Sequence, residues 1–141
     1  MPWWDRPPIN YAPAPGAPSA SRCLLTEDDR FVATVGRLIP EAMPALFELL
    51  ESEAEPAVRA VLGHWLFGYI HPYMDGNGRM ARFLMNAMLA SGGYPWTIVP
   101  VEDRTRYLGA LDNASIDLNI EPFAAFLAER VAWSINQAQR N

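Results

Sequence analysis

HPYMDGNGRMAR, running from His71 to Arg82, separates two helical patterns, and its reading decides the fold. Pro72 and Gly76 interrupt any helix that reaches them. Before the break, residues 56–70 carry Val58, Val61, Leu62, Trp65, Leu66, Phe67, Tyr69 and Ile70 around most of a helical circumference, with Pro56 suited to a first turn. That pattern predicts a helix at the centre of a bundle. After the break, the spacing predicts a helix over 77–91, closed at Gly92 and Gly93 by a left-handed cap. On it Met80, Phe83, Leu84, Ala87 and Met88 read as the apolar stripe, and Arg79, Arg82 and Asn86 share another face.

Working outward, Met43, Leu46, Phe47 and Leu50 keep helical spacing after Pro40, with Glu41, Glu48, Glu51, Glu53 and Glu55 as the wet side. A loop with Pro95 and Pro100 leads to a helix beginning near Glu102, and residues 120–137 form the last one, with Pro122 in its first turn. Six of the thirteen prolines fall within the first eighteen residues, so residues 1–22 are expected to be extended, with Trp3 and Trp4 pinning them to the domain surface. Residues 23–35 fit a β-hairpin, or a first helical turn capped by Thr26. The expected fold class is all-α: a helical bundle over residues 23–141, with at most a small hairpin near the N-terminus.

The chain has 141 residues and a mass of 15.7 kDa, enough for one domain with one sizeable core. All eleven basic residues are Arg, against sixteen acidic residues, for a net charge of -5. Lysine Schiff bases and the phosphate-binding Lys of a P-loop are thereby excluded. The acidic balance argues against nucleic acid and against a membrane surface. Lone Cys23 has no disulfide partner in the chain, and no signal-peptide or membrane-span pattern is found, so a soluble, cytoplasmic protein is expected.

Between Arg59 and Glu102 the only charged residues are Asp75, Arg79 and Arg82. Polar chemistry is therefore concentrated at one helix junction. Gly76 and Gly78 let the amides of Gly76, Asn77 and Gly78 converge on an anion at the positive end of a helix dipole. Arg79 and Arg82, one turn apart, are suited to further phosphate oxygens, and Asp75 to a Mg²⁺ bridging them. His71 precedes the turn, and an imidazole titrating near neutrality suits a general base for an incoming hydroxyl. His64 reads as a satisfied core or supporting histidine. A two-metal site from His64, His71 and Asp75 fails on distance, because seven helical residues span about 10.5 Å. Tyr94, Trp96 and Tyr107 read as packing, with one of them a candidate to border an adenine.

The stretch resembles the signature of the Fic family, HPFx(D/E)GNGRxxR, with Tyr73 for the usual Phe as the only departure. His64, seven residues before His71, and the continuation NGRMARFLMNAMLASGGYP extend the resemblance over roughly residues 37 to 131. The resemblance implies a Fic catalytic core over 23–141 that transfers AMP from ATP to a hydroxyl of a target protein and releases pyrophosphate. It implies His71 as general base, Asp75 as the Mg²⁺ ligand and Gly76, Asn77 and Gly78 as the anion hole, with Asn77 also touching the α-phosphate. Arg79 would contact the β-phosphate and Arg82 the γ-phosphate. Tyr73 would keep the family's aromatic ring in the core. The family's β-hairpin flap has two candidates, residues 23–35 and 4–11. The family's inhibitory pattern (S/T)xxxE(G/N) does not occur, so a Glu restraining Arg82 is expected from an antitoxin-like partner or from sequence outside this one. The alternatives are AMP removal or another phosphate transfer on the same residues, the kinase variation being disfavoured by an intact Gly78. A nucleotide-binding module acting through protein interaction, as in a toxin–antitoxin pair, is a third reading.

Overall fold

The computed structural model describes the backbone from Asp29 to Arg140 and the side chains from Ile39 onward. Five helices follow in order: α1 (Asp29–Ser52), α2 (Pro56–Ile70), α3 (Asn77–Ser91), α4 (Arg104–Ile116) and α5 (Glu121–Ala138), with a 3-10 turn at Val101–Asp103 leading into α4. Among the described residues there is no strand, and no helix is long and apolar enough to cross a membrane.

The apolar circumference of α2 has the consequence expected of it. α2 packs most extensively on α3 and also touches α1, α4 and α5. Three clusters build the core around it. Leu46, Leu50, Phe67 and Ala81 join α1, α2 and α3. Ala60, Met85, Leu89, Leu127 and Val131 join α2, α3 and α5. Tyr107, Ala110, Phe123 and Phe126 join α4 and α5, with Val61 and Trp65 of α2 packed against them. Each large apolar side chain buried in these clusters contributes about 1.5–3 kcal/mol. At the far end of α3, a Cβ on Gly92 would lie 2.5 Å from Cβ of Pro56, so glycine is what lets the two helices close there. Gly93 follows at φ 80°, supplying the left-handed residue that turns the chain into the next loop.

Three expectations are corrected. Helix α1 begins at Asp29 rather than after Pro40, and carries Pro40 and Pro44 inside it. Each proline removes one backbone donor, but both are exposed, so water can reach the carbonyls left unpaired. Since residues 29–35 are helical, they form no hairpin strand, and of the two readings of residues 23–35 the helical one applies to that part. Residues 1–28, with the extended segment, Trp3, Trp4, Cys23 and the second flap candidate, lie outside the described residues. Finally, Phe47 and Phe83 are 52% and 58% exposed. The buried positions of α3 are Asn77, Ala81, Met85, Asn86 and Leu89, because the helix is enclosed by α2 on one side and by the 94–100 loop on another.

Candidate active site

His71 is the C-cap of α2. Its N–H still bonds back to the Phe67 carbonyl at 3.0 Å, yet its own backbone is left-handed, at φ 54° and ψ 56°. For a residue with a Cβ, and one followed by proline, this conformation costs on the order of 1–3 kcal/mol. The turn sends buried Pro72 into the protein and leaves the imidazole exposed. With its proton on Nδ1, the ring donates to the Gly68 carbonyl, 3.4 Å away, and Nε2 is left with a free lone pair.

The linker from His71 to α3 is held by Asn77. Its Oδ1 accepts the Tyr73 N–H at 2.9 Å and its Nδ2 donates to the Tyr73 carbonyl at 2.6 Å. The Asn77 side chain is buried and braces the turn, and one of the two Nδ2 hydrogens is used in doing so. Gly76 sits at φ 82°, a conformation that glycine adopts without penalty. Its N–H is taken by Asp75 Oδ1 at 2.7 Å. The first helical bond of α3 runs from Met80 N–H to the Gly76 carbonyl at 3.0 Å. The amides of Asn77, Gly78 and Arg79 have no partner among the described residues, and these three are the donors offered at the helix start. Of the expected trio, Gly76 has its amide on Asp75, and the Arg79 amide is a further donor at the same helix start.

Both arginines fold back over this start. A Cβ on Gly76 would lie 3.5 Å from an Arg79 guanidinium nitrogen, and one on Gly78 would lie 3.5 Å from an Arg82 nitrogen. Both distances are those of ordinary van der Waals contact, so each guanidinium lies directly over the backbone of its glycine. Arg79 reaches Asp75 Oδ2 at 3.3 Å, an exposed i,i+4 pair of small energetic weight. Arg82 is half-buried and makes no salt bridge among the described residues. Beside the pair opens a cavity of about 260 Å³, lined by Arg79, Arg82, Phe83, Asn86 and residues 96–99. Phe83 and Trp96 meet edge-on at its mouth, with ring centroids 6.1 Å apart. Asn86 fixes the opposite wall: Oδ1 accepts the Thr97 N–H at 2.7 Å, and Nδ2 donates to the Thr97 and Arg82 carbonyls at 3.0 and 3.1 Å.

Behind the site, His64 and Tyr107 form a buried pair. His64 Nε2 is 2.8 Å from the Tyr107 hydroxyl, joining α2 to α4, and His64 Nδ1 is buried without a partner. Burial, with the Arg82 charge adding to it, lowers the His64 pKa to about 4. Burial pushes the Tyr107 hydroxyl up, and Arg82 works against that push. Both groups are therefore neutral at physiological pH.

His71, Asp75, Arg79 and Arg82, the chemical residues read from the sequence, surround the start of one helix, while His64 lies below as a core residue. Tyr73 does not occupy the core. It is 41% exposed and leans on Phe67 at 6.2 Å, where its hydroxyl can stay hydrated. Trp96, one of the three aromatics named as candidates to border an adenine, lines the cavity, whereas Thr97 and Phe83 as cavity walls and Tyr107 as the partner of His64 were not legible, because each meets the site across a loop or a helix–helix contact. The one usable signal was Asn86, a buried amide in an apolar helix that had to find a partner.

Residues 27–89 match the Fic/DOC family. Protein adenylyltransferase fic-1 of Caenorhabditis elegans is 31% identical over 112 residues, covering 77% of this chain and 22% of the relative. Protein adenylyltransferase Fic of Drosophila melanogaster is 41% identical over 78 residues, covering 55% of this chain and 16% of the relative. The solved structure of Fic-1 from C. elegans superposes with a TM-score of 0.67 at 31% identity, over 72% of this chain and 32% of that one. A Fic domain containing signaling protein from Bacteroides thetaiotaomicron superposes with a TM-score of 0.62 at 29% identity, over 71% and 45%. The chain spans less than a quarter of the length of these curated relatives. With the signature intact, the helices superposing on solved Fic structures and the family match spanning the junction, the chain belongs to the Fic/DOC family.

Proposed function

We propose that the chain is the catalytic core of a protein adenylyltransferase, transferring the AMP of ATP to a Ser, Thr or Tyr hydroxyl of a target protein. The observation that carries this reading is the convergence on the start of α3 of an exposed histidine, three unpartnered amides and two back-folded guanidinium groups. The names of the relatives support ATP as the nucleotide and a protein as acceptor.

In the proposed reaction the target hydroxyl attacks the α-phosphorus in line. An oxygen–phosphorus bond forms, the bond from that phosphorus to the oxygen bridging the β-phosphate breaks, and pyrophosphate leaves. The hydroxyl proton passes to His71 Nε2, the nitrogen left free when Nδ1–H faces Gly68. The amides of Asn77, Gly78 and Arg79 hold phosphate oxygens at the positive end of the α3 dipole, Arg79 meets the β-phosphate and Arg82 the γ-phosphate. Catalysis is then positioning and charge stabilisation. Mg²⁺ fits this donor set. Among the described residues no three His, Cys, Asp or Glu side chains gather around a point, and one exposed carboxylate, Asp75, suits an ion whose other ligands are waters and phosphate oxygens. Bound there, it would neutralise charge on the α- and β-phosphates, and Asp75 would release the Gly76 amide to the anion site.

The test is label transfer. ATP labelled at the α-phosphate, incubated with the protein and a cell lysate, should mark target proteins, and His71→Ala should abolish the mark. Label arriving from the γ-phosphate would refute AMP transfer in favour of a kinase, and nucleotide binding with no transfer from either position would favour an interaction module.

A further inference from the structure

We propose that the cavity beside Arg82 is a subsite for a flat ring carried on the terminal phosphate of the donor, so that the chain accepts esters of nucleoside triphosphates, dinucleoside triphosphates among them, as well as ATP. This deepens the adenylyltransferase reading and rests on its placement of the γ-phosphate at Arg82. The order of residues along α3 says where the cavity lies on such a polyphosphate. The three amides without a partner among the described residues stand at 77–79, and His71 precedes them. The lining side chains Arg79, Arg82, Phe83 and Asn86 run down the helix from there, over about 10 Å. With the α-phosphate at His71, the adenosine of ATP leaves the site at that end. The cavity opens at the other end, past the γ-phosphate, where ATP has nothing to fill it.

The walls select what enters. Their polar side chains are already engaged: Asn86 is bonded to both backbone groups of Thr97 and to the Arg82 carbonyl, and the Thr97 hydroxyl donates to the Pro95 carbonyl at 3.2 Å. The side chains left to a ligand are the two guanidinium groups and a set of apolar ones. Of these, Phe83, Trp96 and Ile98 are each more than half exposed. Covering them is favourable, and a flat ring against the edge-on pair of Phe83 and Trp96 gains an aromatic contact as well. At about 260 Å³ the cavity is smaller than the roughly 300–1,000 Å³ of pockets that enclose a whole drug-sized ligand, so it suits one ring system. An ester on the γ-phosphate leaves that group two non-bridging oxygens and a negative charge, which keeps the contact with Arg82. The bond changes are those of the reaction with ATP. The target hydroxyl attacks the α-phosphorus, the bond to the oxygen bridging the β-phosphate breaks, and the hydroxyl proton passes to His71 Nε2. The leaving group is the substituted pyrophosphate, which is ADP when the donor is diadenosine triphosphate.

The experiment is calorimetry on the full chain with the γ-phenyl and γ-methyl esters of ATP, which carry the same charge and the same ester bond and differ in the ring. We expect the phenyl ester to bind about tenfold more tightly, the order of one aromatic contact with the apolar area it covers. Trp96→Ala should bring the two esters to equal affinity, and Trp96→Phe, which keeps a ring at the mouth, should retain most of the difference. Diadenosine triphosphate offered in place of ATP should modify the same target proteins and release ADP. Equal binding of the two esters by the unsubstituted protein overturns the subsite, as does transfer from ATP with none from diadenosine triphosphate, and in both cases AMP transfer from ATP still stands. A Trp96→Ala protein that loses as much affinity for ATP as for the phenyl ester also overturns it, because the base of ATP itself would then lie in the cavity. An unsubstituted chain that binds ATP no more tightly than ADP overturns the γ-phosphate assignment and the inference with it.

Discussion

Acidification should destabilise the fold through His64, a group that takes no proton directly from any substrate in the proposed reaction. In the folded protein its pKa is lowered from 6.5 to about 4, first by burial and then by the charge of Arg82. The unfolded chain has neither influence, so it binds the proton more tightly. At neutral pH both states are unprotonated and the site contributes no pH dependence. As pH falls below 6.5 the unfolded state takes up a proton that the folded state refuses, and stability is lost until the folded state also protonates near pH 4. The limiting loss is about 3 kcal/mol, with about 1 kcal/mol gone by pH 5.5 and about 2 kcal/mol by pH 4.5. Carboxylates contribute their own pH dependence, so the effect is read as a difference between two proteins. His64→Gln retains a polar group for Tyr107 and has nothing to titrate. Urea unfolding at pH 7, 5.5 and 4.5 should show the unsubstituted protein losing about 2 kcal/mol more than the variant across the range. Parallel losses in the two proteins would refute the reasoning, because His64 would then have the same affinity for a proton in both states.

Two further predictions follow from local geometry. Gly92→Ala places a methyl group 2.5 Å from Pro56 Cβ, whereas a Cβ on Gly109, within α4, meets nothing within 4 Å. The first should lower the melting temperature by several degrees, at a cost of about 1–3 kcal/mol, and the second should raise it through a gain of about 1 kcal/mol in helix propensity; thermal melts of the two alanine variants that do not move in opposite directions contradict this. Asn77→Ala removes both side-chain bonds to Tyr73 and should cost about 2 kcal/mol, while also freeing the His71–Gly76 turn. Label transfer should fall more steeply than the fraction folded, and a transfer rate that simply tracks folding would show that the turn needs no clamp.

Much of this was legible in the sequence because it depends on near neighbours. The bounds of α2 and α3 follow from Pro56, Pro72, Gly76 and Gly92, each of which acts within one turn of its own position. The grouping of His71, Asp75, Arg79 and Arg82 at one junction likewise follows from connectivity. Phe83 shows where that reasoning stops. Helical spacing put it in the apolar stripe, but which face of α3 is covered depends on where residues 94–100 return, and Asn86 decides that through Thr97, eleven residues away. Asn77 was read as a ligand residue from the motif, and its bracing of Tyr73 was not legible there. Tyr107 is forty-three residues from His64, and no periodicity joins α2 to α4.

The acidic balance of the chain and a site for polyphosphate are reconciled by how the arginines are spent. Arg106 is paired with Glu129 and stacks over Phe126, and Arg130 is paired with Asp103 and stacks over Trp133. Arg59 is turned toward the Glu53 and Ala54 carbonyls. These cations tie elements together and project little field. At the start of α3, Arg79 has only a weak, exposed partner and Arg82 has none among the described residues, while the helix dipole adds its positive end and three amides. Net charge is a poor guide to such a site because the Debye length is about 8 Å at physiological salt. Carboxylates farther away than that are screened, so a phosphate at the α3 terminus responds chiefly to the two guanidinium groups and the amides within a few ångströms of it.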